Sequence, residues 1–194
     1  MLTKVKICGL SSPEAVATAV KSGADFIGFV LAKSPRRVGL AQAHNLAKDL
    51  PASTQAVGVF VSPSLAELEE AIAQIPLDLV QIHGEFAEDL IPQVSVPVIR
   101  AINISQEPAS LSSQAAHLLF DAPLAGSGQT FDWQSLDTSQ IKQPFFIAGG
   151  LTSQNVPQAI KTFEPYAVDV SSGVETNGHK DLRKIKVFIE SVKR

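Results

Sequence analysis

The sequence is poorest in cross-linking residues and in surplus charge. Only one cysteine, Cys8, occurs in 194 residues, so no internal disulfide can form and no thiolate cluster can hold zinc. Such a chain suits a reducing compartment, and a cytoplasmic location is expected. Lys and Arg number 16 against 19 Asp and Glu, a net charge of −3, which leaves no basic surplus to neutralise a phosphate backbone or an anionic membrane. No nucleic-acid partner is expected. Long hydrophobic runs are missing too: the longest apolar stretch, around FIGFVLA, is less than half of the roughly 20 residues that a spanning helix needs. The first residues meet Lys4, Lys6 and Glu14 before any apolar run long enough for an export signal. A soluble protein with no membrane partner is expected.

Apolar residues, by contrast, make up 45% of the chain against 18% charged, and the mean hydropathy is +0.15. That is enough apolar surface to fill a core, and at roughly 100–200 residues per domain the chain reads as one domain spanning residues 1–194. Short apolar segments recur along it: KVKICG, DFIGFV, QAVGVFV, DLVQIHG, VPVIRAI, HLLFDA, PFFIAGG and YAVDVSSG. They are continuous rather than alternating, as strands of a parallel sheet covered on both faces would be.

Helix-like stretches lie between them. Ser12-Pro13-Glu14 opens EAVATAVKSG and Gly23 stops it; Ser62-Pro63-Ser64 opens LAELEEAIAQI; Thr152 or Ser153 opens QNVPQAIKTF; Lys180-Asp181 opens the last helix. Eight such units predict an α/β fold, a single-domain (β/α)8 TIM barrel. The segment between strands five and six, NISQEPASLSSQAA with Pro108, is expected to be a short or irregular helix. An open doubly wound sheet is the other reading, but no glycine-rich fingerprint follows the first strand.

Catalytic groups of such a barrel stand at the C-terminal ends of its strands and in the loops beyond. Cys8 ends the first strand; it is either a small buried hydrophobe or a thiol at the barrel mouth. Asp121 ends the sixth, either capping the next turn or serving as a carboxyl whose pKa an apolar setting would raise, fit for a general acid. On strands one and six the two could face each other across the mouth. The turns after strands seven and eight carry Gly149-Gly150 and Ser171-Ser172-Gly173, whose backbone N–H groups can converge on a phosphate. Arg36, in the loop after strand two, suits a second anionic group unless it is simply solvated beside Lys33 and Arg37. His83 ends strand four as a supporting hydrogen-bonding group, and Asp169 ends strand eight, where it could accept a substrate hydroxyl or steady the surroundings of Cys8. Of the four histidines only His83 falls at a strand end, which disfavours a metal site.

In this order, KICG, GFV followed by SPR, VGVFV, VQIHG, GSGQTFDW after LLFDA, AGGLTSQNV and VDVSSGVETNGHKD make the chain resemble the phosphoribosylanthranilate isomerase family of tryptophan biosynthesis over nearly its whole length. The resemblance implies a cofactor-free Amadori rearrangement of N-(5-phosphoribosyl)anthranilate to its open-chain 1-deoxyribulose 5-phosphate isomer. It implies Asp121 as the acid that opens the ring and Cys8 as the base at the sugar C2. It also implies Arg36 on the anthranilate carboxylate, Gly150, Ser172 and Gly173 on the phosphate, and Asp169 on the sugar hydroxyls. Two stretches depart from the family pattern: Ala125-Gly126-Ser127-Gly128 stands for Gly-Gly-Thr-Gly, and Leu10-Ser11-Ser12 follows KICG. Another sugar-phosphate isomerase or epimerase on the same barrel, and a non-catalytic binder of phosphorylated ligands, are the competing readings. The expected partner is a phosphorylated small molecule, and the expected assembly a monomer or homodimer.

Overall fold

The computed structural model describes residues 2–103, 113–121, 138 and 141–194. Eight parallel strands close into a barrel in sequence order: β1 (Lys4–Cys8), β2 (Phe26–Val30), β3 (Gln55–Val61), β4 (Leu79–His83), β5 (Val98–Asn103), β6 (His117–Asp121), β7 (Phe145–Ile147) and β8 (Ala167–Val170). Each lies within its predicted apolar run except β5, which runs one residue beyond VPVIRAI to Asn103. The closed barrel, not the open sheet, is the fold.

The helices are α1 (Pro13–Ser22), α2 (Leu40–Ala47), α3 (Leu65–Gln74), α4 (Val156–Phe163) and α5 (Leu182–Lys193). Their starts follow local chemistry. Ser12 accepts from the Ala15 N–H, Ser64 and Glu67 close a reciprocal capping box, and Asp181 accepts from the N–H groups of Arg183 and Lys184. Gly23 ends α1 in the left-handed region at φ 95°. Two connections differ from the sequence reading. α4 begins later than Thr152 or Ser153, because the Asn155 side chain is drawn back to the Thr152 N–H and forms a turn before the helix. Between β4 and β5 the chain makes only a 3-10 turn, Glu88–Gln93, which contains Pro92. The expected irregular helix between β5 and β6 falls largely outside the described residues. No helix among the described residues is long and apolar enough to cross a membrane.

Strand parity sorts the side chains. Val5, Ile7, Ile27, Phe29, Val80 and Ile82 point outward and pack under the helices. Phe26, Val57, Leu79, Ile99, Leu119 and Phe146 point inward and fill the lower barrel as a separate apolar plug. Above the plug the interior turns polar: Lys6 is 0% exposed, Gln81 2% and Asp169 7%. Near the C-terminal ends of the strands this polar layer gives way to a cavity. Two further short strands, β9 (Glu175–Thr176) and β10 (His179–Lys180), form a hairpin after β8.

Candidate active site

The cavity encloses about 330 Å³ at the C-terminal mouth, within the range of small-ligand sites. Its walls include Cys8, Arg36, His83, Asp121, Gly149, Gly150, Asp169, Ser171, Ser172 and Gly173, so every residue singled out from the sequence lines one space. The altered stretch 125–128 lies outside the described residues.

Cys8 follows Lys6 by two positions on β1, so both face the interior. In register beside Cys8 on β2 stands Gly28, where a β-carbon would lie 2.9 Å from Sγ and 3.1 Å from the Lys6 Nζ. Only glycine leaves room for both side chains. Lys6 donates to Asp169 Oδ1 at 3.0 Å across the β1–β8 seam. Burial works against the Lys6 charge, but Asp169 and Cys8 beside it hold its pKa above the ordinary lysine value. Burial pushes the Cys8 thiol up; Lys6 and Lys180 oppose that rise while Asp169 adds to it.

On β4, Gln81 and His83 also face inward together. The Gln81 amide meets His83 Nε2 at 2.7 Å. Burial, then the positive charges of Lys6 and Arg100, depress the His83 pKa to about 4, with Asp169 opposing them. The ring is therefore neutral at physiological pH. The Gln81 Oε1 is buried without a hydrogen-bond partner among the described residues.

Arg36 does not stand in solvent. Its Nε and Nη2 donate to the two carboxylate oxygens of Glu175 at 2.6 and 2.8 Å, a bidentate pair that fixes the plane of the guanidinium. Lys180 donates to the same Glu175 at 2.7 Å and to the Ser171 carbonyl at 2.8 Å. Burial alone would raise the Glu175 pKa, but Arg36 and Lys180 hold it below the usual carboxylate range. The β9–β10 hairpin thus braces the β2 loop against the turn after β8.

The turns after β7 and β8 meet at Gly173, where a β-carbon would stand 1.9 Å from the Leu151 carbonyl oxygen. Gly149 and Gly150 take left-handed φ values of 88° and 64°. Among the described residues no group of three or more His, Cys, Asp or Glu is placed to hold a metal ion.

Lys6, Gln81, Glu175 and Lys180 were not singled out as site residues from the sequence. A signal existed for the first two: if Cys8 and His83 face the mouth, residues two positions earlier share their face. Glu175 and Lys180 lie inside the VDVSSGVETNGHKD stretch, but nothing local to it tells which of its charges turns inward.

Residues 5–191 match a family described as N-(5'-phosphoribosyl)anthranilate (PRA) isomerase. A Streptococcus mutans protein named N-(5'-phosphoribosyl)anthranilate isomerase is 64% identical over 193 residues, 100% of each chain. The crystal structure of phosphoribosyl anthranilate isomerase from Thermotoga maritima superimposes with a TM-score of 0.92 at 36% identity, covering 99% of both chains. A phosphoribosyl anthranilate isomerase in complex with reduced 1-(o-carboxyphenylamino)-1-deoxyribulose 5-phosphate superimposes with a TM-score of 0.84 at 32% identity, again over 99% of each.

Proposed function

The chain belongs to the N-(5'-phosphoribosyl)anthranilate isomerase family and is an isomerase of tryptophan biosynthesis acting on a phosphorylated small molecule, and from that premise we propose that Cys8 is its general base and Asp121 its general acid. One observation carries the assignment: a thiol from β1 and a carboxyl from β6, three strands apart around the barrel, line the same cavity. Neither the epimerase reading nor the non-catalytic binder is supported.

In this scheme the Asp121 carboxyl protonates the furanose ring oxygen, and the C1–O bond breaks as the anthranilate nitrogen pushes its electron pair into a protonated Schiff base. The Cys8 thiolate then takes the C2 proton, and the C–H electrons neutralise the iminium to give an enolamine. Protonation at C1 by the thiol and loss of the C2 hydroxyl proton yield the ketone and restore thiolate and acid. Every step moves protons and no net oxidant is consumed, so the scheme requires no metal or organic cofactor.

Binding follows the cavity walls. Backbone N–H groups of Gly149, Gly150, Ser171, Ser172 and Gly173 take the phosphate, with the buried Lys180 ammonium close behind Ser171. Arg36, its plane set by Glu175, takes the anthranilate carboxylate through its remaining N–H groups. Asp169 and His83 face the sugar. Residues 1–194 form one barrel domain in this reading, which works in the cytoplasm as a monomer or homodimer.

The test is loss of phosphoribosylanthranilate fluorescence on addition of purified protein in metal-free buffer. Cys8→Ala and Asp121→Asn should each lower kcat by roughly 10²–10⁴-fold while substrate still binds. Near-parental kcat in either variant would remove that residue from its role.

A further inference from the structure

A thiol that must act as a base in a buried site has an electrostatic problem, because burial favours its neutral form. The unperturbed thiol is already mostly protonated at neutral pH, and the substrate brings two anionic groups of its own. Something fixed and positive has to stand beside the sulfur. We propose that Lys6 is that group, a positioning residue whose ammonium, anchored by Asp169, forms the counter-charge that maintains the Cys8 thiolate ready to take the C2 proton. The inference rests on Cys8 as the base.

Three observations carry it. Lys6 is completely buried inside the barrel, a placement that costs free energy unless the charge is used or paired. Asp169 takes one of its N–H groups at 3.0 Å, and Cys8 stands two residues further along the same inward face of β1. Gly28 keeps a notch open at which Sγ and Nζ both lie within about 3 Å of one point, so a β-carbon there would press on sulfur and ammonium together.

The other charges near the sulfur are less able to serve. From β10, Lys180 is engaged by Glu175 and by the carbonyl of Ser171. From the β2 loop, Arg36 is held bidentately by Glu175. His83 on β4 is neutral, and Asp169 on β8 and Asp121 on β6 carry the wrong sign when ionised. Lys6 is the largest influence favouring the thiolate.

Because Cys8 is the only cysteine, its ionisation can be followed without background. The ultraviolet absorbance of the thiolate is titrated with pH in the intact, substrate-free protein and in Lys6→Met, and iodoacetamide alkylation is timed at neutral pH. The midpoint should rise by at least about one pH unit in Lys6→Met, a tenfold loss of thiolate, and alkylation should slow by at least about tenfold. The double variant Lys6→Met/Asp169→Asn leaves no unpaired buried charge, and its midpoint should also rise, by less, since a carboxylate that opposes the thiolate is gone too. It keeps the test open if the single variant fails to fold. An unmoved midpoint in a folded variant overturns the inference whatever turnover does. A midpoint that rises while the pH dependence of kcat stays put overturns Cys8 as the base and leaves the Lys6–Cys8 pairing standing.

Discussion

Gly173→Ala is the substitution whose effect the structure defines most sharply. The added methyl would stand 1.9 Å from the Leu151 carbonyl oxygen and 3.0 Å from both the Leu151 carbonyl carbon and a Val170 methyl. The severe contact is with backbone, so no flexible chain end can turn aside. To reach even 3.0 Å the turns after β7 and β8 must part by about 1.1 Å. A misplacement of about 1 Å in groups that position a substrate costs on the order of 10²-fold, or about 2.7 kcal/mol. A second route gives the same size: a hydrogen bond to a charged group contributes about 1.5–3 kcal/mol, and with the phosphate bound as proposed, parting the turns would remove at least one N–H from it. KM for substrate and the inhibition constant for inorganic phosphate should therefore both rise about a hundredfold. Saturated kcat should fall far less, because Cys8 and Asp121 stand on β1 and β6. Steady-state fluorescence kinetics with phosphate as the competitor reads both constants, with circular dichroism to establish folding. If a folded Gly173→Ala protein kept the parental KM and phosphate inhibition, the phosphate would have to bind elsewhere.

Arg36→Met should lower kcat/KM by roughly one to two decades, the range for hydrogen bonds to a charged group, whereas Arg37→Met should change it little; equal kinetics for Arg36→Met and the parent would return this loop to a purely structural role. His83 should show no imidazole titration by NMR near pH 6.5, its pKa being depressed to about 4. In the unfolded chain the same ring takes a proton near pH 6.5, so stability is full above that value and falls as pH drops toward 4, by about 3 kcal/mol from this group. His83→Gln should flatten the corresponding limb of the stability–pH curve; a folded-state ring that titrates near 6.5 would refute the buried neutral assignment.

The eight strands could be read from the sequence because a parallel barrel is buried on both faces, so each strand is a short apolar run bounded by turns. Helix starts were legible where a side chain caps them, as at Ser12, Ser64 and Asp181, and less so at α4, where Asn155 competes for the local N–H groups. α2 carries no such mark, since it begins after Gly39 without a side-chain cap. The strand-end residues that line the cavity were legible by position alone. Lys6 was not: in KVKIC the charged and apolar residues alternate, and alternation by itself suggests that the apolar face is the buried one. Here both faces are buried, Val5 and Ile7 against the helices and Lys6 inside the barrel. The Arg36–Glu175–Lys180 cluster was equally hidden, because its members meet only through tertiary contact between the β2 loop and the β9–β10 hairpin.

The seam between β1 and β8 also sets an order of events at the ribosome. Lys6 and Asp169 are 163 residues apart in sequence, and at synthesis rates of about 5–20 residues per second the partner strand follows on the order of 8–30 s after the first. Throughout that interval β1 has one unpaired flank, the kind of edge along which nascent chains aggregate. An ammonium in the middle of a strand is among the residues that discourage such pairing. The side chain that stands beneath the thiol in the finished barrel is thus also fitted to protect the unfinished one, and its charge is neutralised only when Asp169 arrives to close the ring.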